Sequence, residues 1–262
     1  MTYKREENTT PRIQSLQRAL DILESMIEEN EIGVTELGKK LGLPKGSVHR
    51  LLVTLEDRGY VQQNIETGKY RYGFKLLEIG GIAFSKLELR KAAAPILQDL
   101  VAKTNETVHL VVLDKDEVVY IDKLEGTETL RSHSRIGKRA PMHCTGVGKA
   151  LMAYLSKEDL DLVIQKRGLI RYTDNTITDA LALQDELEKI REVNYSLDNE
   201  EHEIGIWCVA VPLWDYSGKV IAAMSTTVPC LRLTEERKAR LIELTLQAGR
   251  ELSKRLGYRL SL

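Results

Sequence analysis

The chain has 262 residues, of which 42% are hydrophobic and 29% are charged, and its net charge at pH 7 is −1. This length favours two domains, and the composition is that of a globular protein. The sequence shows neither a long apolar run nor a basic and then apolar leader, so we expect a cytoplasmic protein with no membrane partner. The near-neutral charge argues against a generally basic nucleic-acid binder, so any DNA contact has to be local.

Two helices are predicted near the N-terminus. Apolar residues recur at helical spacing over Ile13–Ile27 and indicate a first helix that ends before Gly33. Thr35 is the predicted N-cap of a second, short helix, which the segment Gly42–Pro44 interrupts.

A third helix, predicted to follow Pro44, has one apolar and one polar side. Its apolar arc contains Val48, Leu51, Leu52 and Leu55. Its opposite arc contains Gly46, His49, Arg50, Val53 and Thr54. Two short strands, Tyr60–Gln63 and Lys69–Tyr72, are predicted next and form a hairpin. A short helix, a turn, a polar-faced helix and a hairpin are typical of a winged helix-turn-helix that enters the major groove.

This arrangement predicts double-stranded operator DNA as a partner. Arg50 is expected to bond guanine edges or a phosphate, and Val53 to contact a thymine methyl group. The residues predicted to contact DNA are Thr35, Lys45, Ser47, His49, Arg50, Val53, Thr54, Lys69 and Tyr70, with Lys39, Lys40 and Arg71 adding positive charge. The alternative is a ligand-binding or catalytic module whose N-terminal helices only mediate assembly.

The rest of the chain alternates strands and helices. A helix at Leu87–Lys103 is expected to be broken or offset near Pro95. The predicted strands are TVHLVVLD, EVVYIDKLE, TLRSHS, IWCVAVPLW and KVIAAMSTT, and the predicted helices are TGVGKALMAYL, SKEDLDLVI, TDALALQDELEKIREV and Thr234–Leu256. We therefore predict an α+β protein with a winged helix-turn-helix domain at 12–73, a linker helix at 74–88 and an α/β effector domain with a mainly antiparallel sheet at 89–258.

The segment Thr145–Lys149 precedes a predicted helix, whose first N–H groups favour a carboxylate. The alternative is a glycine-bearing loop that allows close packing. A phosphate-binding loop is excluded, because His143 replaces its first glycine and Ala150 replaces its Ser or Thr. No GxSxG or HExxH pattern is present, so we predict no catalytic residues and no enzyme activity.

A zinc- or thiol-responsive site is a further alternative. Its candidate ligands are His133, His143, Cys144, Cys208 and Cys230. Their spacing does not demand a metal, and buried cysteines are more often core residues. The prediction is therefore that the protein has no metal and no cofactor.

Several stretches resemble the IclR family of transcriptional regulators. ALDILESMIEENEIGVTELGKKLGLPKGSVHRLLVTLEDRGYV is similar to the DNA-binding domain of that family. SRIGKRAPMHCTGVGKALMAYL and DNEEHEIGIWCVAVPLWDYSGKVIAAMSTTVPCLRLTEER resemble the two signature stretches of its effector domain, a GAF/PAS-like fold. The regulators of 2-keto-3-deoxygluconate and related sugar-acid catabolism look most similar. Gly46 departs from the family, in which a hydroxyl residue is common at this position.

The resemblance implies a regulator, with repression as the first interpretation and activation as the alternative. We expect a homodimer or homotetramer whose connector helices pair, and a small carboxylate effector such as a sugar-derived keto acid. The effector-binding residues implied by the family are Thr129, Ser132, Ala140, Gly146, Val147, Asp198, Ile206, Cys208, Ser225 and Thr227.

Overall fold

The computed structural model describes residues 13–27, 29–85, 88–127 and 134–259, with the backbone alone at 83–85. The chain divides into two compact units, unit 1 (residues 1–86) and unit 2 (residues 87–262). Each unit has a hydrophobic core of its own. Within the described ranges, no helix combines the length and the apolar character needed to cross a membrane.

Unit 1 is a helix-turn-helix with a hairpin. Its elements are α1 (Gln14–Ser25), α2 (Val34–Leu41), α3 (Lys45–Asp57), β1 (Val61–Gln63), β2 (Tyr70–Tyr72) and α4 (Phe74–Ser85). Gly42 ends α2 with a φ of 64°, a left-handed conformation that glycine adopts without steric cost. β1 and β2 pair antiparallel, with Gln62 opposite Arg71. The predicted order of helix, turn, helix and wing is confirmed.

Unit 2 is built around a six-stranded antiparallel sheet with the order β5-β4-β3-β8-β7-β6. The strands are β3 (Thr107–Asp114), β4 (Glu117–Leu124), β5 (Arg139–Ala140), β6 (Ser196–Asn199), β7 (Ile206–Trp214) and β8 (Val220–Pro229). The helices are α5 (Glu88–Thr104), α6 (Gly146–Met152), α7 (Lys157–Arg167), α8 (Ala180–Val193) and α9 (Glu235–Arg255), with a short 3₁₀ helix at Cys230–Arg232. The predicted α+β class with an antiparallel sheet is confirmed.

The two faces of this sheet carry different layers. On one face, α5 and α9 cover apolar side chains that include Leu110 and Met224. On the other face, α6 and α8 cover Val111 and Ala223. Because successive strand residues point to opposite sides, each strand serves both layers. The α6 face also holds a polar cavity, next to the first turn of α6.

Some element predictions differ from the structure. Gly33, not Thr35, is the N-cap of α2, and its N–H donates to Glu36 Oε2 at 2.8 Å. α5 continues through Pro95 and is not broken there. Pro95 removes one backbone hydrogen-bond donor, but its neighbour Leu97 packs in the core and holds the helix in place. β5, β6 and the 3₁₀ helix were not predicted. The predicted strand TLRSHS falls on 129–134, of which Ser134 alone is described.

Candidate functional site

One side of α3 is free and polar. Val48 and Leu52 are buried in the core of unit 1. The exposed residues of the opposite side include Lys45, His49, Arg50, Val53 and Thr54, and Ser47 is half-buried. The amphipathic pattern predicted for α3 is therefore confirmed, and the predicted DNA-contact residues of this helix lie on its solvent side, with Ser47 at the edge.

The charges on this side are available to a ligand. Within the described part of unit 1, no side chain forms an ion pair with Arg50 or Lys45. A free guanidinium can donate two parallel hydrogen bonds to a guanine edge or to a phosphate. Thr54 Oγ1 donates to Arg50 O at 3.0 Å, which leaves its oxygen to act as an acceptor. Thr35 is exposed in the first turn of α2.

The wing offers fewer contacts than predicted. Tyr70 is only 1% exposed and packs in the core of unit 1, so the prediction that its side chain reaches DNA is wrong. Alternation along β2 turns Tyr70 inward and Arg71 outward. Lys69 Nζ lies 3.7 Å from Glu36 Oε2, so part of its charge is compensated.

Unit 2 contains a cavity of about 60 Å³ between the sheet and α6. Eight of the residues implied as effector ligands line it, namely Ala140, Gly146, Val147, Asp198, Ile206, Cys208, Ser225 and Thr227. Thr129 and Ser132 lie outside the described residues. Sequence reasoning missed further lining residues, which are His109, Tyr120, Ser134, Lys138, Thr145, His202 and Glu203.

Cross-strand pairing brings this lining together. Asp198 on β6 lies opposite Cys208 on β7, and Cys208 lies opposite Thr227 on β8. Ser225 on β8 lies opposite His109 on β3. Cys208 Sγ is 3.1 Å from Thr227 Oγ1, and His109 Nδ1 is 3.3 Å from the same hydroxyl oxygen. The thiol, hydroxyl and imidazole groups form one connected network.

Burial sets the protonation states of the side chains that line the cavity. It lowers the pKa of His109 to about 3, so this imidazole is neutral at pH 7. Burial also raises the pKa of Cys208 and keeps the thiol protonated. The pKa of Asp198 is raised by burial to about 7. Among the described lining residues, Lys138 is the single lysine or arginine.

The first turn of α6 closes one side of the cavity. Thr145 Oγ1 accepts from Gly148 N at 3.2 Å and donates to Pro141 O at 2.7 Å. The N–H of Gly148 is therefore already bonded, and fewer N–H groups face an anion than the sequence suggested. A Cβ atom at Gly148 would lie 2.2 Å from Met142 O. Close packing accordingly accounts for this glycine.

The metal alternative gains no geometric support. The described ranges contain no group of three or more His, Cys, Asp or Glu residues that could hold a metal ion, and His133 lies outside them. His143 Nε2 is 2.9 Å from Ile170 O. Burial raises the pKa of Cys144, which disfavours the thiolate that a metal would need.

Comparison with protein families decides the class of the protein. A model described as the IclR helix-turn-helix domain matches residues 15–64, and the bacterial transcriptional regulator IclR C-terminal model matches residues 82–254. The chain belongs to the IclR family. The resemblance predicted from the sequence is confirmed, and the protein is a DNA-binding transcriptional regulator rather than an enzyme.

Individual IclR-family members match nearly the whole chain. HTH-type transcriptional regulator XynR of Escherichia coli K12 is 41% identical over 249 residues, which cover 95% of this chain and 99% of XynR. HTH-type transcriptional regulator KdgR of the same strain is 38% identical over 246 residues, covering 94% of each chain. The crystal structure of an IclR homolog from Microbacterium hydrocarbonoxydans, complexed with 4-hydroxybenzoate, has a TM-score of 0.80 at 27% identity and covers 92% of this chain and 98% of its own.

Proposed function

We propose that this IclR-family protein represses a catabolic operon by binding double-stranded operator DNA, and that a small carboxylate effector relieves the repression. The supporting observation is that one chain combines a free polar side on α3 with a cavity lined by eight implied effector ligands. The effector acts by binding one arrangement of the protein more tightly than another. Such a regulator acts in the cytoplasm. Activation of transcription is the alternative, since the sign of the regulation depends on the position of the operator.

The chemistry of the cavity favours an oxygen-rich carboxylate. Lys138 offers a positive charge, while Ser225 and Thr227 offer hydroxyl groups. Ile206 and Val147 supply apolar contacts for a carbon chain. The 4-hydroxybenzoate bound by the Microbacterium relative is itself a small carboxylate. A sugar-derived keto acid such as 2-keto-3-deoxygluconate has the required carboxylate, keto and hydroxyl groups.

An apolar surface on α4 favours a homodimer or homotetramer. Phe74, Leu77 and Ile82 are 82%, 73% and 50% exposed. Exposed apolar side chains on one side of a helix are typical of a surface that contacts another chain. Pairing of two α4 helices would present two α3 helices to a pseudo-palindromic operator.

An operator-retardation assay tests the proposal. Sites are first selected from random duplex DNA with the purified protein, and sugar-derived keto acids are screened by thermal shift, since a bound ligand raises the Tm with the logarithm of its excess. We expect retardation of a selected site at moderate salt and its release by a stabilising keto acid. Failure to select any duplex would contradict DNA binding, whereas retardation that no acid affects would contradict the effector role.

The double substitution Ser225→Ala with Thr227→Val is expected to weaken effector binding by about 10- to 100-fold, because it removes two hydroxyl partners from the cavity. DNA binding of the free protein should stay unchanged. Isothermal calorimetry measures the affinity. Thr226→Val is the matched control, because Thr226 lies between the two on the opposite face and bonds Thr245 at 2.8 Å. Unchanged affinity in the double variant would place the effector elsewhere.

Effector affinity is also expected to fall as the pH rises through about 7, the pKa of Asp198. Below that pH the protonated carboxyl can donate to an anionic effector, and above it the carboxylate repels one. Well above the pKa of Asp198, effector affinity is expected to fall by about tenfold per pH unit. His109 is already neutral in this range because its pKa is about 3. Calorimetry across this range checks the trend, and Asp198→Asn should flatten it; affinity that rises with pH would refute the assignment.

A further inference from the structure

Lys149 on α6 is completely buried, with 0% of its side chain exposed. Its Nζ atom lies 2.5 Å from Glu201 Oε1 and 3.4 Å from Glu186 Oε1. An ammonium group without a partner is very unfavourable in such a place, so these carboxylates are what keeps Lys149 inside. Glu201 is the more buried of the two, with 9% of its side chain exposed against 27% for Glu186.

Glu201 lies beside the effector cavity without lining it. It follows β6 in the chain, between the lining residues Asp198 and His202. The backbone N–H of Glu201 donates to Asp198 Oδ1 at 2.8 Å. The second oxygen of its carboxylate, Oε2, is buried and has no hydrogen-bond partner among the described residues. Lys149 therefore provides the close positive charge for the Glu201 carboxylate. The backbone N–H of the same Glu201 bonds Asp198, an acid that lines the cavity.

Two threonines bond backbone carbonyl groups of this segment. Thr176 Oγ1 donates to Glu201 O at 2.6 Å, and Thr173 Oγ1 donates to Glu200 O at 2.6 Å. Lys149 is the main partner of the Glu201 carboxylate, and the backbone of Asn199 also favours its charged form. The same helix α6 supplies the lining residues Gly146 and Val147. The Lys149–Glu201 ion pair thus joins two walls of the cavity.

We propose that Lys149 is a positioning residue for effector binding. It holds Glu201, and Glu201 in turn holds the lining residues Asp198 and His202 in the positions that bind the effector. The inference rests on the proposed function of the cavity. A purely structural ion pair would affect stability alone, whereas a positioning residue also determines affinity.

Calorimetric titration of the full-length protein tests the inference. The probes are pyruvate, 2-oxoglutarate, 2-keto-3-deoxygluconate and 4-hydroxybenzoate, and the one that binds the wild type most tightly is used for the variants. Lys149→Gln keeps a donor but loses the charge, and we expect it to weaken binding by about tenfold; Lys149→Met should weaken it further. Lys149→Arg restores the charge and is expected to recover most of the affinity. If Lys149→Met does not fold, the Gln and Arg variants decide.

Arg237→Met is the matched control for stability. Arg237 pairs with Glu106, which is 1% exposed and is not among the residues that line the cavity. We expect this variant to lower the Tm and to leave effector affinity unchanged. Wild-type affinity in both Lys149→Gln and Lys149→Met would overturn the positioning role while the proposed function stands. Binding of none of the probes by the wild type would overturn both.

Discussion

Replacing Arg50 by alanine is expected to weaken operator binding by about 100-fold, near the upper end of what one paired contact to a guanine supplies. The guanidinium is exposed on α3 and has no ion pair within the described part of unit 1, so its hydrogen bonds are available to DNA. Effector affinity should not change, because the cavity belongs to unit 2. Fluorescence anisotropy with a selected operator at constant salt measures the loss.

Arg18→Ala on α1 removes the same charge from a different helix and is expected to stay within about threefold of the wild type. The salt dependence separates the kinds of contact that Arg50 makes. Loss of a phosphate contact reduces the slope of log affinity against log salt by about 0.9, whereas loss of a base contact relaxes sequence preference at one position. Equal operator binding by Arg50→Ala and the wild type would remove the basis for assigning DNA recognition to α3.

Gly148→Ala is expected to destabilise unit 2 by about 3 kcal/mol or more. The added Cβ would lie 2.2 Å from Met142 O and 2.4 Å from Met142 Cα, and these backbone atoms cannot rotate away as a side chain does. The start of α6 and the preceding segment would have to separate, which opens the cavity. Thermal unfolding followed by circular dichroism measures the change, and effector binding should be lost with it.

Gly146→Ala is the appropriate comparison, because it makes the same substitution two residues earlier in α6. There the Cβ would lie 3.3 Å from Ala210 Cβ and 3.6 Å from Cys208 Cβ, contacts that a small shift accommodates. We expect a Tm close to that of the wild type and a narrower cavity with weaker effector binding. A Gly148→Ala protein as stable as Gly146→Ala would show that α6 can move away from Met142.

Sequence reasoning succeeded where structure depends on local periodicity. The buried and exposed sides of α3 follow from a repeat of 3.6 residues, so Arg50 was assigned to the correct side. β2 is different, because it has only three residues. Alternation over so short a strand divides the residues into two sets but does not indicate which set packs inward. The bridge from Tyr70 to Ile32, a residue that precedes α2, decides this and has no local signal.

The cavity could be predicted only in part, for a related reason. His109 and Tyr120 look like ordinary strand residues in the sequence. They line the cavity because the sheet order places β3 between β4 and β8, which brings His109 opposite Ser225, a residue 116 positions later. Strand order is a tertiary property that hydrophobic patterns do not encode. Asp198 was identified through family resemblance, since the four-residue β6 was not recognised as a strand.

Alternation along the central strands separates two tasks of unit 2. On β8, Ser225 faces the cavity while its neighbour Met224 belongs to the apolar layer under α5 and α9. On β3, His109 and Leu110 divide in the same way. Substitution of Ser225 or His109 is therefore expected to alter the cavity without touching the apolar layer under α5 and α9. Under the proposed function, the pleat of the sheet lets the chemistry of the cavity vary while the packing beneath α5 and α9 is kept.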